Sequence, residues 1–148
     1  MAIPDPLVAL VAFLKADGPV SSLAADRVFG DEIPQDQVDV VSDGQTIQQT
    51  VVIRRSGSAG SVGDNSRIRF SKPRVDVFSY GETPYQAGVL DLAVFDALKQ
   101  MVPNTQGVCR LYDASLLTGP ITSREQDTQW PLVFRSYAVA TAEQAVGP

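Results

Sequence analysis

The stretch "TPYQAGVLDLAVFDALKQM", residues 83–101, constrains the fold more than any other part of this chain. Thr83 is a good N-cap, Pro84 suits the first helical position, and Gln86 completes a Thr-x-x-Gln capping box. Ala87, Leu90, Val94, Ala97 and Met101 then recur at steps of three and four, so one apolar stripe faces a core. This long helix stands between groups of extended runs and does not alternate with them. Upstream lie "TIQQTVVIRR", "SRIRF" and "PRVDVFSYG"; downstream lie "GVCRLYDASLLTG" and "WPLVFRSYAVAT". Strands grouped apart from helices predict an α+β domain, a mostly antiparallel sheet packed by an N-terminal helix and this long central one.

The N-terminal helix is written in "PDPLVALVAFLKADGP": Asp5 caps, Pro6 starts, and Gly18-Pro19 stops it. Leu7, Leu10, Val11 and Leu14 share one face, and a helix of this length needs a surface to dock on. After it, "SSLAADRVFGDEIPQ" reads as a helical turn, a short extended piece at Val28 and Phe29, and a proline-marked turn. Asp43-Gly44 predicts a hairpin between "VDVV" and "TIQQTVVIRR". "SRIRF" and "PRVDVFSYG" read as one strand interrupted at Lys72-Pro73, where the missing proline N–H favours an edge or a bulge. Alternation sends Val75 and Val77 one way and Asp76 and Phe78 the other. In the last strand it puts Trp130, Leu132 and Phe134 on one face, with Val133, Tyr137 and Val139 on the other.

With 148 residues, 44% of them hydrophobic, the chain fits one domain spanning 1–148. There is no histidine and one cysteine, which removes the commonest general base, the commonest soft-metal ligand and any intrachain disulfide. Cys109 lacks the usual activator of a thiolate and reads as a structural thiol. Asp36, Asp39 and Asp43 do not match a calcium-loop spacing and read as a solvated acidic turn. No enzymatic activity, cofactor or metal is expected. The run "LVALVAFL" is short and lacks a basic region before it, which suits a helix start better than a signal peptide. Residence in a reducing cytosol, with no membrane partner, is the expectation.

"VVIRRSGSAGSVGDNSRIRF", residues 51–70, sets a strand-like run on each side of a Gly- and Ser-rich segment. The segment lacks the Gly-Lys-Ser/Thr ending of a phosphate loop and is followed by a strand pattern, so it does not read as a phosphate cradle. It predicts a flexible hairpin loop at about 56–66. Ser56, Gly57, Ser58, Gly60, Ser61, Gly63, Asp64 and Asn65 are its candidate assembly residues. Arg54, Arg55, Arg67, Arg69, Lys72 and Arg74, six of the twelve basic residues, cluster around it. Two readings of these stay open: a basic lining or interface, or a solvated strand face paired with aspartates. The net charge of −5 argues against wholesale wrapping of nucleic acid.

Three stretches taken together, "ADRVFGDEIP", "RVDVFSYGETPYQAGVLDLAVFDALK" and "WPLVFRSYAV", follow the N-terminal helix in order. In this arrangement the chain resembles the tail terminator (tail completion) proteins of long-tailed bacteriophages and related tail-like particles. It departs from that pattern at "DQVDVVSDGQTIQQ", which is longer than expected. The resemblance implies a structural virion protein, assembled in the host cytoplasm, that forms a homo-hexameric ring on the head-proximal end of the tail tube. Its implied partners are further copies of itself, the tail tube protein, and a neck or head-completion protein, with DNA only in passive passage through the ring. It implies that the 57–66 segment projects toward a neighbour or the tube. Another head-tail joining protein, a tail tube subunit, and a nucleic-acid-binding module are the alternatives.

Overall fold

The computed structural model describes residues 5–43, 45–64, 68–107 and 109–144, and their side chains except those of 57–64, 68–71, 143 and 144. Helix α1 (Pro6–Ala16) is capped by Asp5, whose carboxylate accepts the Leu7 N–H at 3.0 Å. Gly18-Pro19 does end this helix, but it also opens a second, α2 (Gly18–Ala24). Asp17 serves both, ending α1 and accepting the Val20 N–H at the start of α2, so the chain turns by 86° on one residue. Strand β1 (Val28–Gly30) follows.

The hairpin expected around Asp43 is not formed. "VDVV" is a single helical turn, α3 (Val38–Val41), entered through a 3-10 turn at Gln35–Gln37. Asp43 accepts the N–H groups of Gln45 and Thr46 and reverses the chain, leaving only one bridge between Ser42 and Ile47. These bonds hold the Asp43 carboxyl below its usual range. The turn signal at Asp43 is the observed one, and the residues before it close a local helical turn in place of a strand.

Two long strands then pair, β2 (Thr50–Asp64) and β3 (Ile68–Tyr80). Gly81 makes the turn out of β3, where a Cβ would stand 2.5 Å from the Ala87 nitrogen. Helix α4 (Pro84–Lys99) starts as expected, with the Thr83 hydroxyl accepting the Gln86 N–H at 3.2 Å. Strands β4 (Asn104–Gln106), β5 (Cys109–Arg124) and β6 (Pro131–Gln144) complete the sheet. Its order is β1-β2-β3-β6-β5-β4, antiparallel throughout except that β1 runs parallel to β2, so the sheet is mixed. The α+β class stands. Strand β3 lies inside the sheet, with β2 on one side and β6 on the other, so Pro73 does not mark an edge. It sits instead where the β2–β3 register shifts, at a bulge.

The main core lies between the helices and one face of the curled sheet. Leu10, Leu14, Val20, Leu90, Val94 and Leu98 meet Val51, Ile53, Val75, Val77, Tyr137 and Val139 there. A smaller cluster on the other face joins Val41, Ile47, Val52, Tyr80, Trp130 and Leu132, with the Phe78 and Phe134 rings tilted at 44° and 5.3 Å apart. The strand alternation expected in β3 and β6 is the one observed. No single helix among the described residues is long and apolar enough to cross a membrane.

Candidate assembly surface

The Gly- and Ser-rich segment is, through Asp64, strand and not loop. Ser56, Gly57, Ser58, Gly60, Ser61, Gly63 and Asp64 all belong to β2. From Arg55 to Asp64 this strand takes nine residue steps against six of β3, between Val75 and Arg69. The extra residues are absorbed in three register shifts, and glycine tolerates such bulges best. Composition announced permissive backbone; the ladder offered by β3 turned it into an irregular strand. Asn65 and Arg67 lie outside the described residues.

Among the described residues, the basic side chains do not form one free stripe. Arg54 and Arg55 point to opposite faces of the sheet, as neighbours in a strand must. Arg54 donates to the Asp31 carbonyl at 3.0 Å and lies over the Phe78 ring, 5.1 Å from its centroid. Arg55 binds the Asp5 carboxylate at 2.8 Å and approaches that of Asp31 at 3.7 Å, tying β2 to the start of α1 and to the turn after β1. Arg74 donates to the Ser136 hydroxyl at 3.3 Å, and that hydroxyl donates to Asp76. Lys72 is half-buried, and the backbone of Arg69 pairs with Asp64 and Glu143. For Arg55 the reading as a cation paired with aspartates is the observed one. Arg54 and Arg74 are held by a carbonyl and a hydroxyl.

A different surface emerges on β5. Its first residues are covered: Cys109 and Leu111 are buried, and β4 pairs with Cys109–Leu111. Beyond Asp113, every residue to Arg124 is exposed except half-buried Ala114 and Gly119. Leu116, Leu117 and Ile121 stand 41%, 46% and 46% exposed. Gly119 is fixed there by a φ of +107° and by the Phe134 carbonyl, which would lie 2.6 Å from a Cβ. Sequence reading missed this surface because a strand pattern says nothing about which strand is left uncovered. One signal was available: no charge falls between Asp113 and Arg124.

Two further features are structural. Asp91 and Arg135 form a buried pair under α4, with the Arg135 Nε donating to both carboxylate oxygens at 3.0 and 2.9 Å and its guanidinium over Phe95 at 4.2 Å. Burial pushes the Asp91 carboxyl up, and Arg135 pulls it partly back. Both residues were visible in the sequence as charges inside apolar runs. On the opposite face a cleft of about 200 Å³ is lined by Val38, Val52, Arg54, Tyr80, Glu125 and Trp130. The Tyr80 hydroxyl donates to Glu125 at 2.7 Å across it. Among the described residues, no group of acidic or cysteine side chains is arranged to hold a metal ion.

The layers define a small α+β domain whose mixed six-stranded sheet packs one face against its helices. No protein-family model matches the chain, and no curated protein matches it. Among solved structures, it is similar to a chain in "Virion of native gene transfer agent (GTA) particle", with a TM-score of 0.64 at 15% identity. The likeness covers 93% of this chain and 94% of that one. At this identity it shows a shared fold.

Proposed function

We propose that this chain is a structural subunit of a phage-like virion, and within it a tail terminator. In this reading it assembles as a homo-hexameric ring on the head-proximal end of the tail tube, stops tube growth, and offers the surface that the neck or head connector meets. The observation that carries the proposal is the end-to-end likeness to a chain of a gene transfer agent virion, since neither chain has a large part left over. The order of family-like stretches in the sequence supports the finer assignment. An exposed uncharged strand on β5 supports an assembling subunit over a free one.

Loss of the gene is the direct test. A terminator's absence yields particles with overlong tails by electron microscopy, and the purified protein added back to tubes of normal length binds their ends. Tails of normal length that fail to join heads point to a neck protein, and complete absence of tails points to a tube subunit. Either outcome overturns the terminator assignment while keeping the virion role.

A further inference from the structure

The sheet has two open margins, and they lie at opposite ends. On one side, β1 pairs only with Val51–Ile53, which leaves β2 from Arg54 to Asp64 with no strand on its outer side among the described residues. On the other side, β4 pairs only with Cys109–Leu111, which leaves β5 from Asp113 to Arg124 with no strand on its outer side among the described residues. The two open lengths are nearly equal. Most of each length is uncharged: Ser56 to Gly63 in β2 and Ala114 to Ser123 in β5 are all neutral, with Arg54, Arg55 and Asp64 at the ends of one and Asp113 and Arg124 at the ends of the other. Open edges are normally guarded by charge, because unpaired N–H and C=O groups template strand addition. Here charge is absent from the middle of both, and only bulges in each strand and Pro120 in β5 interrupt the open edge.

We propose that the outer edge of β5 receives the outer edge of β2 from a second copy of this chain, so that the sheet continues from subunit to subunit. This rests on the ring reading above, and it names the contact that builds the ring. Direction fits. The strands β2, β3, β6 and β5 alternate, so β5 runs opposite to β2 within one copy. A neighbour related by rotation about an axis roughly along the strands therefore brings its β2 antiparallel to β5. The contact is heterologous, joining two different surfaces, which is what a closed ring requires.

The offset fits as well. Thr118, near the middle of the open part of β5, is level with Ser136, Asp76 and Arg54 across the sheet, whereas the middle of the open part of β2 is level with Pro73 to Ser71. Matching the two open edges slides the neighbour by about four residues, roughly 13 Å along the strands, across a four-strand width of roughly 19 Å. That slide corresponds to strands inclined by about 35°, within the range of tilt that closed barrels adopt. A flat, unstaggered ring leaves the edges out of register; a tilted one brings them together. Pro120 has no N–H to give, so the pairing divides into a segment on each side of it. Addition of the neighbour covers Leu116, Leu117 and Ile121.

The test uses the full chain bound to tail tubes and in solution. A Ser56→Cys/Ser123→Cys double variant, with further pairs that step Ser56 to Ser58 and Ser123 to Thr122, is oxidised mildly and run without reductant. Expected is a ladder of disulfide-linked multimers from at least one pair, absent from each single variant. Leu117→Lys with Ile121→Lys, which stay folded by circular dichroism because the sites are exposed, are expected to lower ring or tube-end occupancy at least tenfold. Rings that form normally in the lysine variant and never cross-link through these edges overturn the edge contact and leave the ring reading standing. Wild-type protein that neither self-associates nor binds tubes overturns both.

Discussion

Strands β5 and β6 are hydrogen-bonded neighbours along nearly their whole length, yet they live in different environments. From Pro131 to Ala142, β6 is buried on both faces except at Phe134 and Ala140, which are half-buried. Across from it, β5 is exposed on both faces from Ser115 to Arg124 except at Gly119. Pairing alone therefore does not bury a strand. What separates them is coverage: α4 and the small second cluster close over β6, and nothing among the described residues reaches over the far half of β5. One strand holds the fold together, and the other holds out a surface.

The largest effect expected from breaking this contrast is at the buried pair that joins α4 to β6. Asp91→Ala leaves the Arg135 guanidinium enclosed without its carboxylate, and removal of one partner from a buried pair costs about 3–5 kcal/mol. Urea unfolding followed by circular dichroism measures it. The double variant Asp91→Leu/Arg135→Met removes both charges and is expected to recover most of the loss, because the pair's own attraction is largely offset by desolvation. A double variant as unstable as the single would mean that α4 and β6 depend on the charges themselves.

Next in size is Leu132→Ala. Leu132 sits among Val52, Tyr80 and Trp130 in the smaller cluster, and truncating a buried leucine costs about 2–5 kcal/mol. A loss below about 0.5 kcal/mol, the range of a surface change, would show that the smaller cluster closes over β6 less firmly than the main core does.

Much of β6 was legible from alternation, because its two faces enter two different cores and each selects apolar residues. Helix α4 was equally legible, since a capping box and a five-residue stripe agree. The sequence misled where local chemistry and tertiary pairing pull apart. "VDVV" has a strand composition and became a helical turn because Asp43 reverses the chain just after it. The segment at 57–64 has a loop composition and became a strand because β3 supplies a partner ladder and glycine tolerates the bulges. Among the candidate site residues, the basic group was found by charge density, but Arg54, Arg55 and Arg74 spend their hydrogen bonds within the subunit. The open edge of β5 was beyond periodicity altogether, since strand order decides which margin stays uncovered.

The smallest stability effect is expected on that edge, and its smallness is what makes it informative. Leu117→Ala removes a side chain that is 46% exposed and packs in neither core cluster. A surface change of this kind shifts stability within about 0.5 kcal/mol, roughly a tenth of what the Asp91 variant loses. Hydrogen exchange on the free subunit gives the same contrast without mutation: amides of β6 exchange only through opening close to the global free energy, whereas outward amides of β5 beyond Asp113 exchange early. In assembled particles the two readings separate. If a neighbour's strand covers the edge, those β5 amides gain protection while β6 stays as it was, and Leu117→Ala weakens assembly without weakening the fold. If β5 amides exchange as fast in the particle as in the free protein, the exposed strand is not an assembly edge, and any contact between copies lies elsewhere on the surface.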